Sequence, residues 1–290
     1  MGGVINTVES NSVSTTNSSS SEITEFPSGL QKSYLPQTVE GSTQQREYLV
    51  RYPSQPNQSN YPLVFYFHGN GDTAEDFYKS LHEVHELIDN NQFIGIFPQG
   101  LEKSWNLGAE ASKADDVAWV LGIIDEISEI SFVDSSSVYA VGISNGAGMV
   151  NKLAKETVSL KGIAPIVSQQ TLELSIIDPF RGVSVFQING DDDQLIPLQG
   201  GFSPQVQHQF VSARESAENW ALHSKCATVP VTFEDVWGFY PVQAFVYGNC
   251  ESNQQVRYHI VEGSGHSGNF GNFALHTAIW NFFRKFPGGD

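Results

Sequence analysis

Residues 136–156, SSVYAVGISNGAGMVNKLAKE, form the stretch that decides the fold. The residues before its glycines alternate and are β-branched or aromatic where strands favour it, and those after them place apolar side chains at helical spacing. Gly142, Ser144 and Gly146 therefore lie at a corner between a strand and a helix. A G-x-S-x-G pattern at such a corner predicts a serine whose hydroxyl is exposed at the tip of a tight turn.

The two glycines meet the steric demands of that turn. Side chains two residues before and after the serine would collide with each other or with the neighbouring strand, and glycine removes both collisions. The corner also begins a helix, so its first backbone amides point toward negative charge that develops beside the serine. We predict a nucleophile at Ser144 and an oxyanion donor at the Asn145 amide. The alternative is a glycine-rich helix start without a catalytic role, because short patterns also arise by chance.

Length and composition indicate one core preceded by a tail. The chain has 290 residues, of which 40% are hydrophobic, and open α/β domains often reach this size undivided. Its N-terminus is rich in Ser, Thr and Asn and lacks periodicity, so it cannot bury enough apolar surface to offset the cost of ordering. We predict a disordered tail over residues 1–28 and a single catalytic domain over residues 29–290.

The charge balance restricts the partners. With 15 basic and 32 acidic residues, the formal net charge is −17. Binding of nucleic acid or of an anionic membrane surface requires clustered positive charge, so we expect neither partner. No stretch approaches the roughly 18 consecutive apolar residues that span a bilayer. A neutral substrate suits this chain better.

Strands and helices alternate along the rest of the chain. We predict strands at residues 46–52, 63–67, 93–97, 136–143, 160–167, 183–188 and 255–261, and helices at residues 73–89, 115–130, 147–156, 207–223 and 272–286. This alternation is typical of a mostly parallel sheet with helices on both faces. Ligands of such sheets bind at the carboxyl ends of the strands, where polar residues are the candidates for chemistry.

Two of those strand ends offer partners for Ser144. Asp191, Asp192 and Asp193 follow one late strand, and His266 follows the last strand in a loop of Gly and Ser. A serine nucleophile needs a base, and the base needs a carboxylate that fixes its tautomer. The order Ser, Asp, His is that of the α/β-hydrolase fold. At most one aspartate can complete the triad, and on the opposing interpretation His266 is an ordinary loop histidine.

Two further patterns were weighed as metal sites. Adjacent aspartates in an extended loop diverge, and the spacing of a calcium loop is absent from residues 191–193. The segment from His82 to Glu86 differs from H-E-x-x-H, because the residue four after His82 is Glu86. We interpret His82 and His85 as surface residues, and we predict neither a metal nor another cofactor.

The second oxyanion donor is expected in the loop after an early central strand, where His68-Gly-Asn-Gly-Asp follows Leu63-Val-Phe-Tyr-Phe67. Small residues there let the backbone approach a carbonyl oxygen. We predict the Asn70 amide as the donor, with Gly71 as the alternative. We interpret His68 as a buried, hydrogen-bonded residue that supports the loop.

Cys226 and Cys250 are the two cysteines of the chain, and they flank a segment rich in aromatic residues. A disulfide between them would stabilise the fold by roughly 3 kcal/mol on the chain-entropy estimate, and it would indicate an oxidising compartment. The alternative is a pair of buried free thiols.

From about Tyr48 to Phe286, the chain resembles the group of α/β-hydrolases that contains poly(3-hydroxybutyrate) depolymerases and feruloyl and acetylxylan esterases. The motifs that carry the resemblance are HGNGDTAEDF, FPQGLEKSWN, DDVAWVLGIID, VDSSSVYAVGISNGAGM at 133–149, and GDDDQLIP. The resemblance implies that Asp193 is the acid of the triad, that Cys226 pairs with Cys250, and that Trp105 lines the substrate pocket. From its position in the sequence alone, a packing role for Trp105 is an equally good interpretation.

The chain also departs from the pattern of this group. Asn70 stands where the group usually has Cys, and Ser267, Gly268 and Asn269 follow His266 where Trp-Pro is frequent. Because one wall of the pocket differs, the sequence does not determine which ester is the substrate. We expect a serine carboxylester hydrolase that acts on polyester or short-chain esters. The alternatives are an esterase that acts on feruloyl or acetylxylan esters and a non-catalytic binding protein. We further expect a monomer that is secreted or periplasmic, with a cytoplasmic location as the alternative.

Overall fold

The computed structural model describes residues 27–57 and 59–288. The tail predicted over residues 1–28 therefore lies almost entirely outside the described residues. The first strand begins at Gly29, where the sequence analysis begins the catalytic domain. The limits of that domain stay a prediction.

Twelve strands are present in the described part of the chain. They are β1 (Gly29–Val39), β2 (Ser42–Tyr52), β3 (Tyr61–Phe67), β4 (Ile94–Pro98), β5 (Val133–Ile143), β6 (Leu160–Ile166), β7 (Ser184–Gly190), β8 (Gly201–Ser203), β9 (His208–Phe210), β10 (Val231–Trp237), β11 (Tyr240–Tyr247) and β12 (Val256–Val261). Ten of them form one sheet in the order β1-β2-β4-β3-β5-β6-β7-β12-β11-β10, and β8 pairs with β9 in a separate hairpin. The six strands from β4 to β12 in this order are parallel, and the outer strands are antiparallel.

Helices cover both faces of the sheet. They are α1 (Ala74–Ser80), α2 (His82–Asp89), α3 (Asp116–Ser128), α4 (Asn145–Glu156), α5 (Leu172–Ser175), α6 (Ala213–His223) and α7 (Leu275–Lys285). Leu63, Phe65 and Phe67 of β3 join a core with residues of α3, α4 and α6, whereas Val64 and Tyr66 join a second core with residues of α1, α2 and α7. Since successive side chains of a strand point to opposite faces, a central strand must be apolar throughout. The structure confirms the predicted α/β-hydrolase fold.

Two predicted helices differ from those in the structure. The helix predicted at residues 73–89 is interrupted at Leu81, whose ψ of 55° is not helical, so α1 and α2 are separate. The helix predicted at residues 207–223 begins at Ala213, after a Ser212 side chain that accepts the Glu215 amide hydrogen. The residues before this cap form β9 instead. In both segments apolar side chains at helical spacing continue past the point where the backbone changes.

The outer strands β1, β10 and β11 were not predicted. Every residue of β10 except Trp237 is exposed, and β1 has a single buried residue, Val39. The edge strand β10 contacts solvent on both faces and so lacks the alternating burial on which the prediction depends. The aromatic segment between the cysteines contains the hairpin of β10 and β11 at the sheet edge.

A disulfide joins Cys226 and Cys250. It links the chain just after α6 to the chain just after β11, and this confirms the pairing that the resemblance implied. Among the described residues, the helices are all too short or too polar to cross a lipid bilayer.

Candidate active site

Ser144 occupies a strained corner between β5 and α4. Its φ of 57° and ψ of −119° are unfavourable for a residue with a side chain. A Cβ atom on Gly142 would lie 2.1 Å from the carbonyl oxygen of Gly146, and one on Gly146 would lie 2.2 Å from that of Phe67. The backbones therefore approach too closely for any residue but glycine, as the sequence pattern predicts.

The structure brings Ser144, His266 and Asp193 together in one hydrogen-bonded relay. His266 Nε2 lies 2.8 Å from Ser144 Oγ, and His266 Nδ1 lies 2.7 Å from Asp193 Oδ2. A carboxylate can only accept, so Nδ1 donates its hydrogen to Asp193 and Nε2 is left to accept the serine proton. This is the geometry of a general base that is oriented by a buried acid.

Asp193 is the aspartate that its surroundings hold in place. Its side chain is 1% exposed, and its Oδ1 accepts the amide hydrogens of Leu195 and Ile196, each at 2.9 Å. Asp191 and Asp192 are exposed. Burial and hydrogen bonding therefore distinguish Asp193 from the other two aspartates, and both support its prediction as the acid of the triad.

The loops that contain Asp193 and His266 follow two neighbouring parallel strands, β7 and β12. Gly190 ends β7, and a Cβ atom there would lie 2.1 Å from the carbonyl oxygen of Ser264. This glycine lets the loop of His266 cross directly over the end of β7. The acid and the base are thus aligned by adjacent strand ends.

Oxyanion donors are available on the other side of Ser144. Asn145 is the first residue of α4, and the first amides of a helix have no acceptor within it. Asn70, in the loop after β3, lines the cavity beside Ser144. Gly69 in that loop lies so close that its Cβ would be 3.6 Å from Ser144 Cβ. The two predicted donors therefore flank the predicted nucleophile.

His68 supports this loop, as predicted. The residue is fully buried; its Nδ1 lies 2.7 Å from the carbonyl oxygen of Gly69, and its Nε2 accepts the amide hydrogen of Gly100 at 3.0 Å. Burial lowers the pKa of His68 below its ordinary value, so the ring is neutral near pH 7.

Trp105 does not line the pocket, so the substrate-binding role expected for it is wrong. Its side chain is completely buried. The indole nitrogen donates to the carbonyl oxygen of His68 at 2.9 Å, and the ring packs edge-on against Phe67. Trp105 therefore supports the loop of the predicted oxyanion donor from beneath, which is the packing role that its sequence position also allowed.

Two cavities meet at the triad, and we name them by the catalytic group that each adjoins. The oxyanion-side cavity has a volume of about 320 Å³, and the histidine-side cavity has a volume of about 550 Å³. The first is lined by residues that include Asn70, Ser104, Leu107, Glu110, Ala111, Ser144, Asn145, Ser168, Ile196, Val206, His208 and Phe210. The second is lined by residues that include Phe77, Leu81, Ile143, Ile166, His266, Ser267, Gly268, Phe270, Phe273 and His276.

Sequence analysis missed Glu110 and His208, which lie together in the wall of the oxyanion-side cavity. Glu110 belongs to a loop of small and charged residues, GAEASKADD at 108–116. His208 falls in the segment predicted as a helix, although it belongs to β9. Neither residue lies in a recognisable motif, so no signal in one sequence could have joined them.

The candidate metal patterns have ordinary surroundings. His82 is exposed, as predicted, whereas His85 is partly buried and its ring packs 4.2 Å from that of Tyr78. Within residues 27–57 and 59–288, no cluster of three or more His, Cys, Asp or Glu side chains is placed to hold a metal ion.

Known proteins similar to this chain are esterases. Feruloyl esterase B of Piromyces equi is 25% identical over 253 residues, which cover 83% of this chain and 45% of that protein. Probable feruloyl esterase C of Aspergillus terreus is 26% identical, over 82% of this chain and 83% of that protein. The structure of an acetyl xylan esterase from Aspergillus awamori matches with a TM-score of 0.59 and 14% identity, over 82% of this chain and 94% of that one. No protein-family model matches the chain.

The fold and the relay of Ser144, His266 and Asp193 define the class of the protein, an α/β-hydrolase with a serine at its nucleophile corner. Within that class, the named relatives support the group of feruloyl and acetylxylan esterases, whose members are carboxylic ester hydrolases. The chain spans less than half the length of several of these relatives.

Proposed function

We propose that this protein hydrolyses carboxylic esters through an acyl-enzyme on Ser144. The observation that supports it is the relay of 2.8 and 2.7 Å from Ser144 through His266 to Asp193. Ser144 Oγ attacks the ester carbonyl carbon while His266 Nε2 takes the serine proton. The resulting imidazolium is stabilised by the buried carboxylate of Asp193.

The amides of Asn145 and Asn70 donate to the oxyanion that forms on the carbonyl oxygen. These donors are fixed before the substrate arrives, so they stabilise the developing charge without reorganisation. Collapse of the intermediate breaks the bond to the alcohol, which leaves with the proton held by His266. Water then attacks the acyl-enzyme by the same route, with His266 as the base, and releases the acid.

We propose plant cell-wall esters, feruloyl or acetyl, as the substrate class. The names of the relatives support this alternative, since they are feruloyl esterases and a bifunctional acetylxylan esterase/xylanase. The polar residues of the oxyanion-side cavity, which include Asn70, Ser104 and Ser168, suit an acyl group with hydrogen-bonding atoms. The preference for polyesters stays a prediction.

We also propose that the protein works in an oxidising compartment outside the cytoplasm. The support is the disulfide between Cys226 and Cys250, because such bonds rarely persist among cytosolic thiol reductants.

The proposal predicts that Ser144→Ala removes ester hydrolysis while the Tm changes little. Initial rates would be measured with methyl ferulate, acetylated xylan, p-nitrophenyl acetate and an emulsified aliphatic polyester. Ser135→Ala, an exposed serine earlier in β5, is the matched control and should keep the wild-type rates. The loss of the nucleophile should cost about 10⁶-fold in kcat.

Turnover that survives in Ser144→Ala would overturn the mechanism. Preference for ferulate or acetylated xylan would support the proposed substrate class, and preference for the polyester would replace it. A wild-type protein that is folded but inactive on every ester would instead favour a binding role.

A further inference from the structure

Glu110 links the helix of the nucleophile to the opposite wall of the oxyanion-side cavity. One carboxylate oxygen, Oε1, accepts from Asn145 Nδ2 at 3.0 Å and from His208 Nε2 at 2.9 Å. The other, Oε2, accepts the amide hydrogen of Leu107 at 2.8 Å. The Glu110 and His208 side chains are 12% and 7% exposed. A largely buried carboxylate with three donors is a fixed point of the site, because without it His208 Nε2 and the Leu107 amide would lose their acceptor and Asn145 Nδ2 would keep only the Trp105 carbonyl oxygen.

The contact with Asn145 bears directly on the oxyanion donor. Asn145 Oδ1 accepts the amide hydrogen of Trp105 at 2.7 Å, and Nδ2 donates to the Trp105 carbonyl oxygen at 3.1 Å as well as to Glu110. The side chain is therefore fixed at both ends. Its backbone amide, one residue after Ser144, is the predicted donor to the oxyanion. Because the side chain and this amide belong to one residue, the hydrogen bonds of the side chain help to hold the start of α4 in place.

The contact with His208 fixes the other wall. His208 opens β9 and pairs with Ser203 of β8. The turn between these strands contributes Gln205, Val206 and Gln207 to the lining of the cavity. The hairpin is also joined to the body of the protein by the bridge between Thr171 and Phe210, and by Ser203 Oγ, which donates to the Leu195 carbonyl oxygen at 2.7 Å. Glu110 therefore contributes one of the contacts that hold the hairpin beside Ser144.

Glu110 is suited to this role as an ionised group. Burial raises its pKa, but the hydrogen bonds from His208 and from the Leu107 amide outweigh burial and bring the pKa below its ordinary value. Charge-assisted hydrogen bonds are shorter and stronger than neutral ones. The carboxylate therefore holds its donors more firmly than an amide would.

We propose that Glu110 is a positioning residue, which sets both the oxyanion amide of Asn145 and, through His208, the facing wall of the substrate cavity. The catalytic part of this inference rests on the proposed esterase function. The structural part, that Glu110 couples α4 to the hairpin of β8 and β9, does not.

The first test compares Glu110→Ala with Glu110→Gln. Alanine removes the acceptor of His208 and one of the two acceptors of Asn145 Nδ2, whereas glutamine retains one oxygen that both can reach. We expect Glu110→Ala to lower kcat for p-nitrophenyl acetate by up to about a hundredfold, as for a misplaced catalytic group, with KM nearly unchanged. Glu110→Gln should recover most of that loss. A small ester isolates the chemistry, because it makes little use of the cavity wall.

Glu102→Gln is the control for charge, because Glu102 lines the same cavity but is exposed and is not hydrogen-bonded to Asn145. It should alter KM for charged substrates rather than kcat. Kinetics that are equal for Glu110→Ala and Glu110→Gln, or a kcat of folded Glu110→Ala within about threefold of wild type, would overturn the proposal. A loss confined to KM would also overturn it.

The second test uses His208 and stability, so it does not need turnover. His208→Gln keeps a donor near the position of Nε2, and His208→Leu removes it. A cycle of Glu110→Ala, His208→Leu and the double variant should give Tm shifts that are clearly non-additive. If no ester is hydrolysed even by wild type but the coupling is present, the function has failed and the coupling stands. If Ser144-dependent hydrolysis is present but the shifts add, the positioning role has failed.

Discussion

The oxyanion-side and histidine-side cavities meet at Ser144 and His266, yet they are built from different materials. The wall of the first depends on directional hydrogen bonds, with Glu110 joined to Asn145 and His208. The wall of the second depends on the packing of rings. On the oxyanion side, hydrogen bonds therefore fix the residues that are predicted to stabilise charge, and the other side provides a larger space beside His266.

The rings of the histidine side form one stack beneath the catalytic loop. Trp237 lies parallel to Phe273 with ring centroids 4.5 Å apart, and it contacts Phe270 at 5.6 Å. On its other side it contacts His259 at 5.0 Å. Phe270 and Phe273 line the cavity, whereas His259 lies buried in β12. The rings that line this cavity therefore pack on Trp237, which in turn packs on the imidazole ring of His259.

The difference teaches that the two sides should fail under different perturbations. Hydrogen bonds to a carboxylate are lost when an atom is removed or when the carboxylate is protonated. The packing of a buried histidine ring is lost when the ring gains a proton, since a buried charge without a partner is costly. Three predictions follow. They concern the hydrogen-bonded relay that both cavities share, the ring stack of the histidine side, and the narrowing of each cavity.

The largest effect is expected where the two sides meet, at Asp193. Asp193→Asn replaces an acceptor with an amide that can donate to His266 Nδ1, and this favours the tautomer in which Nε2 no longer accepts the Ser144 proton. We expect kcat/KM to fall by about 10⁴-fold, measured with p-nitrophenyl acetate. Asp192→Asn, at the neighbouring exposed aspartate, is the matched control and should stay near wild type. Equal losses in the two variants would refute the assignment of the acid.

The arrangement of the proposed triad could be predicted because its geometry is encoded locally. Gly142, Ser144 and Gly146 mark their own corner, and a parallel sheet brings Asp193 and His266 to adjacent strand ends. The central strands were also predictable, since burial on both faces leaves an apolar run. A single sequence could therefore predict those parts of the fold in which the place of a residue in the sheet determines its type.

The walls could not be predicted, because they depend on contacts between distant loops. Glu110 and His208 are 98 residues apart, and each is unremarkable in its own segment. Trp105 was misassigned because an aromatic residue in a strand-end loop has the same pattern whether it faces the cavity or the core. The edge strand β10 was missed because exposure on both faces removes the alternating burial that indicates a strand.

The second prediction concerns acid pH and the histidine side. Burial lowers the pKa of His259 from 6.5 to about 4, so the unfolded chain binds one more proton than the folded chain between these values. Stability therefore falls as the pH drops through this window, by ~3 kcal/mol in total. Burial also lowers the pKa of His276, which lines the same cavity. The pKa of Glu110 is also lowered, so its stabilisation is lost in the same direction but at lower pH, as the pH falls below the ordinary carboxyl value of 4.5.

His259→Asn would test this by urea unfolding between about pH 4 and pH 7. The ring donates from Nδ1 to the carbonyl oxygen of Gln187 at 3.0 Å, and the asparagine amide can replace that donor without titrating. We expect a less stable protein at neutral pH with a slope that is shallower by close to one proton. His82→Asn, at an exposed histidine, should keep the wild-type slope. Parallel slopes for His259→Asn and wild type would show that the stack does not depend on a neutral ring.

The smallest effect is expected when each of the two cavities is narrowed in turn by a larger side chain. These variants test whether the two cavities bind different parts of the substrate. His266 must give its proton to the departing alcohol, so the alcohol should leave on the histidine side and the acyl group should occupy the oxyanion side. Ala111→Trp narrows the oxyanion-side cavity, and Ser267→Trp narrows the other at a position where the resembled group often has Trp. Both residues are exposed, so both variants should fold.

We expect Ala111→Trp to lower the ratio of kcat/KM for p-nitrophenyl octanoate to that for p-nitrophenyl acetate by roughly tenfold, the scale on which a pocket discriminates by size. Ser267→Trp should leave this ratio unchanged, because the leaving group is the same, but should lower the rate on acetylated xylan relative to p-nitrophenyl acetate. The reverse pattern would exchange the two assignments. If both variants changed both ratios alike, the two cavities would act as one open cleft, and their different construction would have no counterpart in substrate selection.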